Sequence, residues 1–109
     1  MYIKVNNKTI KIKDCIKFKD RFKSLKFVLE KIDYGIRIPK TKLISTYFFC
    51  QKVDICVTDK NNNIIALFDN VNSEKKKFMF KAYYVYYLPV NTIKYLENKN
   101  QLIPTKKKN

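Results

Sequence analysis

The stretch "VDICVTDKNNNIIALF", residues 53–68, decides the fold class of this 109-residue chain. Val53, Ile55 and Val57 recur at every second position, which is the period of a β-strand with one face turned inward. The cluster "DKNN" at 59–62 supplies turn-forming residues, and an apolar run then returns. The pattern predicts a β-hairpin with a loop of about four residues.

The period of two continues on both sides of this hairpin. The segments "YIKV" (2–5) and "TIKIKDCI" (9–16) alternate apolar residues with lysine and predict another hairpin. Its inward side chains are Ile3, Val5, Ile10 and Ile12. The segment "YGIRIP" (34–39) predicts a short strand beside the only glycine, Gly35, for which we expect a positive φ in a turn or bulge.

The tyrosine-rich segment "KAYYVYYL" (81–88) predicts one more strand. One face of that strand would carry Tyr84, Tyr86 and Leu88, and the other would carry Tyr83, Val85 and Tyr87. The segment is either a platform that stacks on nucleic-acid bases or an interior strand between two layers. Because both faces are apolar or amphipathic, we favour the interior strand.

Two short helices complete the prediction. Asp20 caps the first, with Phe22 and Leu25 on one face, and the second carries Ile93 and Leu96. Few of the strands are separated by a full crossover helix, so the sheets should be mainly antiparallel. We therefore expect a mainly β fold with two short helices, a small β-sandwich or barrel-like single domain.

We place the domain boundaries by composition. The β-rich domain spans 1–102, and a basic tail follows at 103–109. The N-terminus has no apolar signal-peptide core, and no apolar run reaches the length of a membrane span. We therefore expect a cytoplasmic protein with no membrane partner.

The net charge of +15 comes from 22 lysines and only two arginines. Proteins selected to grip phosphate favour arginine, because its planar guanidinium binds two oxygens at once. Lys, Asn, Ile, Tyr and Phe, whose codons need only A and T, make up 62 of the 109 residues. An AT-rich genome accounts for this composition, so we expect only weak, non-specific nucleic-acid binding at low salt.

The sequence argues against several kinds of active site. It contains no histidine, one glycine and three cysteines, Cys15, Cys50 and Cys56, without a C-x-x-C pair. A His-based triad, a glycine-rich phosphate loop and the usual zinc sites are therefore not expected. We expect no metal and no cofactor, and reduced thiols as in the cytoplasm.

Asp54 is the carboxylate that lies inside the predicted hairpin, on the face opposite Val53 and Ile55. It either acts in ligand binding or acid–base chemistry, or it faces solvent and pairs with a basic side chain. Arg21, near the start of the first predicted helix, is a candidate partner. An enzyme centred on Asp54 and Arg21 is therefore one functional alternative.

Four segments together resemble the domain of unknown function 192 family, an uncharacterised bacterial and archaeal family. They are "RFKSLKF" (21–27), "YGIRIP" (34–39), "TYFFCQKVDICVTD" (46–59) and "VYYLPVNT" (85–92), and the resemblance covers roughly residues 17–97. The best matching positions are Arg21, Leu25, Phe27, Gly35, Asp54, Asp59, Leu88, Pro89 and Thr92. The resemblance implies a compact β-rich fold, similar to a jelly-roll-like sandwich, and no established activity.

The chain departs from the family pattern at several positions. The family usually has glycine at Ser24 and Asn91, a methionine and a basic residue at Phe49 and Cys50, proline at Lys52 and glutamate at Tyr87.

A family ligand site would involve Arg21, Thr46, Asp54 and Tyr87 in this chain. We therefore expect a cytoplasmic domain that binds a ligand or a protein partner without catalysis. Electrostatic nucleic-acid binding and the enzyme are the alternatives.

Overall fold

The alternating segments form β-strands in the computed structural model, which describes residues 1–5, 8–14, 31–46 and 49–106. The strands of this part of the chain are β1 (Tyr2–Val5), β2 (Lys8–Asp14), β3 (Gly35–Ile38), β4 (Leu43–Ser45), β5 (Val53–Thr58), β6 (Ile64–Val71), β7 (Lys76–Phe78) and β8 (Tyr84–Leu88). A 3₁₀ helix at Ile93–Tyr95 follows β8. A mainly β fold was predicted, and it is confirmed.

The strands form one large sheet and one small sheet. The large sheet has the order β1-β2-β3-β8-β5-β6, and the small sheet pairs β4 with β7. β2 and β3 are parallel, whereas the other neighbouring pairs are antiparallel. The large sheet is therefore mixed, and it curls into a half-barrel.

Both predicted hairpins are present. In the first, Ile3 lies opposite Ile10, and the four side chains predicted to point inward are buried. In the second, β5 pairs with β6 around a loop in which the carboxylate of Asp59 accepts the backbone N–H groups of Asn61 and Asn63. That bonding lowers the pKa of Asp59, with the Asn63 side-chain amide as its largest cause.

The tyrosine-rich strand lies in the interior of the large sheet. β8 pairs with β3 on one side and with β5 on the other. Val85 and Tyr87 belong to one buried apolar cluster, and Tyr86 and Leu88 belong to a second cluster on the opposite face. The prediction of an interior strand between two layers is confirmed.

Two local predictions differ from the structure. Gly35 does not have a positive φ; it begins β3, and a Cβ atom there would lie 2.6 Å from Ile12 Cδ1 and 2.7 Å from Leu88 Cδ2. Close packing, and not a turn, therefore favours glycine. The second predicted helix is only the 3₁₀ helix, with Thr92 at its N-cap.

The first predicted helix, around Asp20, lies outside the described residues, as does Cys15. At the other end of the chain, Thr105 of the predicted basic tail exchanges two backbone hydrogen bonds with Tyr2, at 2.7 and 2.8 Å. The Cα radius of gyration is 12.6 Å, close to the roughly 13 Å of a compact 100-residue domain. No helix in the described part of the chain is long and apolar enough to cross a bilayer.

Candidate functional site

The predicted site residue Tyr87 joins β8 to the small sheet. Its hydroxyl donates to the carbonyl oxygen of Ser45 at 2.9 Å and accepts from the Ser45 backbone N–H at 3.1 Å. The ring of Phe49 packs edge-on, with ring centroids 5.3 Å apart. Burial raises the pKa of Tyr87 to about 12, so the hydroxyl keeps its proton at neutral pH and can donate.

Thr46, the next predicted site residue, follows β4 and forms hydrogen bonds with the segment between β6 and β7. Its hydroxyl donates to the Asn72 carbonyl oxygen at 2.8 Å and accepts from the Lys75 backbone N–H at 2.9 Å. Its backbone N–H donates to the Lys75 carbonyl oxygen at 2.9 Å. Thr46 therefore fixes the position at which Lys75 enters the small sheet.

Asp54 lies on the other face of the large sheet, where its carboxylate accepts hydrogen bonds from the segment after β8. The side chain is fully buried. Oδ1 accepts from the backbone N–H of Asn70 at 2.8 Å, and Oδ2 accepts from those of Thr92 and Ile93 at 2.8 and 2.9 Å. The carboxylate thus satisfies N–H groups at the start of the 3₁₀ helix, which have no partner within the helix itself.

A second carboxylate, Asp69, lies close to Asp54 at an irregularity in the β5–β6 pairing between Val53 and Ile55. The negative charge of Asp54 raises the pKa of Asp69. This pairing of carboxylates was not predicted, because the irregularity changes the register in a way that the alternation of side chains does not reveal.

Three of the four predicted site residues can be placed relative to one another. Tyr87 and Thr46 lie on the same side of the sheet, and both contact the end of β4. Asp54 is paired with Leu88 of the cluster on the opposite face. Arg21 lies outside the described residues. The sheet therefore separates Asp54 from Thr46 and Tyr87.

A pocket of about 220 Å³ opens between the small sheet and strands β5 and β6; we call it the inter-sheet pocket. Its described lining joins apolar side chains, which we call the apolar wall, to three consecutive lysines, which we call the basic wall, and consists of Ile44, Thr46, Ile55, Phe68, Val71, Lys75, Lys76 and Lys77. Among these residues there is no carboxylate. The pocket thus combines an apolar wall with the side chains of three lysines.

The pocket arises directly from the alternation in the strands. Ile44 is buried on the inner face of β4 and lies opposite Lys77 of β7. The Lys77 ammonium lies 5.2 Å from the centroid of the Phe68 ring, a distance at which an ammonium is attracted to the face of an aromatic ring. Lys77 of the basic wall is therefore held against Phe68 of the apolar wall.

Of the pocket residues, sequence reasoning had selected only Thr46. The lysine run at 75–77 was visible in the sequence, but nothing in the run showed that it would pair with β4. The described cysteines lie elsewhere. Cys50 is exposed, and Cys56 is buried within the large sheet, where burial raises the pKa of its thiol to about 12.

No family model matches this sequence, and no curated protein matches it. Two solved structures have a similar fold. One, from Sinorhizobium meliloti 1021, is called a "putative transcription regulator"; the TM-score is 0.75 at 12% identity, over 94% of this chain and 90% of that chain.

The other is a protein of unknown function from Novosphingobium aromaticivorans DSM 12444. Its TM-score is 0.72 at 12% identity, over 93% of this chain and 79% of that chain. A fold can host unrelated functions, so likeness at this identity extends to the fold alone. The half-barrel described above is therefore an architecture that this chain shares with two bacterial proteins.

Proposed function

We propose that this chain is a non-catalytic binding module whose ligand is a small amphipathic anion held in the inter-sheet pocket. The observation that carries the proposal is the combination of an apolar wall with three lysines in a pocket of about 220 Å³. An engineered apolar cavity of roughly 150 Å³ holds benzene, whereas drug-sized ligands occupy about 300 Å³ or more. A short acyl chain or a single aromatic ring with a carboxylate matches this size and polarity.

Different residues of the inter-sheet pocket would recognise the apolar and the anionic parts of the ligand. Ile44, Ile55 and Phe68 would contact the apolar body of the ligand, and the ammonium groups of Lys75 and Lys77 would attract its anionic end. Both hydroxyl functions of Thr46 are engaged with the backbone. Thr46 is therefore assigned to holding the basic wall in place.

The proposal is tested by calorimetric titration with hexanoate, hexan-1-ol and hexylamine, which share one chain length and differ in charge. Hexanoate should bind most tightly and hexylamine most weakly. The double substitution Lys75→Gln with Lys77→Gln should weaken hexanoate binding about three- to tenfold, because it removes two favourable charges. The affinity for hexan-1-ol should be unchanged.

The matched control is Lys4→Gln with Lys11→Gln, which removes the same charge from exposed positions on β1 and β2. This control should bind hexanoate as the original chain does. An equal loss in both double variants, or no saturable binding of any of the three compounds, would contradict a site in the inter-sheet pocket.

We also propose membership of the domain of unknown function 192 family, with its jelly-roll-like sandwich. Several matching positions form one bonded unit, which supports the proposal: the Thr92 backbone N–H donates to Asp54 Oδ2 at 2.8 Å, and the Thr92 hydroxyl donates to the Pro89 carbonyl oxygen at 2.6 Å. Asn91, where the family usually has glycine, has a φ of 68°, a conformation that favours glycine. A crystal structure of a family member that lacks this bonded unit would count against the assignment.

Electrostatic nucleic-acid binding is a second candidate, favoured by the net charge of +15. The name of the structurally similar Sinorhizobium meliloti protein, "putative transcription regulator", agrees with this class of function. Titration with single- and double-stranded oligonucleotides at two salt concentrations tests it. Affinity that persists near about 200 mM salt would support specific binding, and a steep loss would indicate counterion release alone.

We do not propose catalysis at Asp54. Both of its carboxylate oxygens accept backbone N–H groups, and the side chain is fully buried. A general acid or base must reach the proton that it transfers. The geometry instead favours a structural role for this carboxylate.

A further inference from the structure

Three large apolar side chains are exposed to solvent at the small sheet. Leu43 of β4 and Phe78 of β7 are cross-strand partners, and Phe80 follows two residues later. The exposed fractions of these residues are 46%, 64% and 74%. We call Leu43, Phe78 and Phe80 the outer patch. Ile44, the neighbour of Leu43, is buried against the core. One face of β4 is therefore buried and the other is exposed to solvent.

Contacts between the two strands keep the outer patch together. The backbone N–H of Met79 donates to the Lys42 carbonyl oxygen at 2.8 Å, which brings the end of β7 beside the start of β4. The Lys42 ammonium lies 4.4 Å from the centroid of the Phe80 ring. Phe80 therefore borders the same surface as the Leu43–Phe78 pair.

The two segments that carry the outer patch are basic, although the Asp59 carboxylate lines the same cleft as Lys42 and Phe80. Segments 40–45 and 75–81 contain six lysines and no carboxylate. Lysine carries its charge on a long apolar stem, so it can lie along an apolar surface and keep its ammonium in a polar layer. The surface thus joins exposed apolar groups to concentrated positive charge.

We propose that the outer patch docks on a membrane surface that contains anionic lipids. A bilayer interface accepts both components at once, because the apolar side chains enter the boundary of the acyl chains while the ammonium groups meet the anionic headgroups. The contact lies in the plane of the interface and needs no apolar run of membrane-spanning length. It is independent of the ligand assigned to the inter-sheet pocket, which lies on the inner face of the small sheet.

The same charges disfavour two other occupants. A second copy of the chain would place lysine against lysine, with no carboxylate from these segments to compensate. A nucleic acid would attract the lysines, but base stacking needs open ring faces. Leu43 has no ring to stack, and the Lys42 ammonium occupies one face of Phe80, so the patch offers a base fewer ring faces than two free aromatic side chains would.

Co-sedimentation with vesicles tests the docking. The full chain should partition onto phosphatidylcholine vesicles that contain about 30 mol % phosphatidylserine, and it should remain in solution with pure phosphatidylcholine. The double substitution Phe78→Ser with Phe80→Ser should lower the partition coefficient at least about tenfold, because both rings lose their place in the interface. Circular dichroism checks that the variant remains folded, which is expected since both side chains already lie in water.

Ile103→Ser is the matched control, because Ile103 is 59% exposed and lies outside the outer patch. This variant should partition like the original chain. Vesicle binding that is unaffected by Phe78→Ser with Phe80→Ser, or that falls equally in the control, would overturn the proposal in favour of unspecific adsorption. Absence of vesicle binding would also overturn it, and oligonucleotide binding lost in the same double variant would assign the patch to nucleic acid.

Discussion

At the scale of single residues, Asp54 shows which structural properties the sequence predicts and which it does not. Its position inside a strand was visible in the sequence, but its chemical partners were not. Its partners are the backbone N–H groups of Asn70, Thr92 and Ile93, which lie 16, 38 and 39 residues away. Every residue except proline has a backbone N–H group, so the residue types do not show which N–H groups will bind a carboxylate. The sequence therefore could not distinguish a structural role for Asp54 from a ligand-binding role.

We expect Asp54→Asn to lower the free energy of unfolding by about 2–4 kcal/mol, because an amide NH₂ would face buried N–H donors in place of a charged acceptor. Urea unfolding followed by circular dichroism measures the change. Glu74→Gln is the control at an exposed carboxylate outside the pair of Asp54 and Asp69, and it should change the stability by less than about 0.5 kcal/mol. Equal losses in the two variants would mean that the three N–H contacts of Asp54 contribute little.

The backbone at Asn91 gives a second expectation for a single residue. Its φ of 68° costs an ordinary side chain about 1 kcal/mol, a cost that glycine avoids. Asn91→Ala should therefore destabilise the fold by about 1 kcal/mol, whereas Asn91→Gly should be neutral within about 0.5 kcal/mol. Thermal unfolding of the two variants side by side measures the difference, and equal melting temperatures would contradict it.

At the scale of elements, the hairpins were predictable and the parallel pair was not. Alternation and turn residues are local signals, and they identified both β1–β2 and β5–β6. The parallel pairing of β2 with β3 joins Ile12 to Gly35, and no local pattern encodes which distant strand lies alongside. The small sheet was missed for a similar reason, because β7 is a lysine-rich segment that becomes a strand only through its pairing with β4.

Gly35 tests the packing of the parallel pair. Gly35→Ala should lower the free energy of unfolding by about 1–3 kcal/mol, since its methyl group would overlap side chains of Ile12 and Leu88 that must then shift. Denaturant unfolding measures this loss. Combining Gly35→Ala with Leu88→Val, which makes room beside the new methyl group, should cost less than the sum of the two separate substitutions. Strict additivity would show that the contact with Leu88 is not the cause.

At the scale of the whole molecule, the core contains ionisable groups that become costly at high pH. Burial raises the pKa of Tyr86, Tyr87 and the Cys56 thiol to about 12 each. In the unfolded chain these groups lose their protons at lower pH, near 10 for tyrosine. The folded state therefore binds more protons than the unfolded state above that point, and stability falls as the pH rises.

We expect the free energy of unfolding to begin to decline near about pH 8.5, where an unfolded thiol such as Cys56 loses its proton, and to fall more steeply between about pH 10 and pH 12, by roughly 2–3 kcal/mol for each tyrosine. Urea midpoints collected across this range measure the decline. Tyr87→Phe removes one of the titrating groups, so its stability should fall less steeply with pH than that of the original chain. An identical slope in the variant would contradict the role assigned to burial.

The position of β8 has a consequence for how the chain is made. β3 and β5 are its two neighbours in the sheet, yet both precede it in the sequence. While the chain is made, β8 is added roughly 30 residues after β5, which at 5–20 residues per second is about 1.5–6 s later. Over that time the edges of β3 and β5 that face β8 have no partner strand, and an unpaired strand edge is a site of misassociation. The nascent chain is thus most vulnerable to misassociation before β8 has paired with both neighbours.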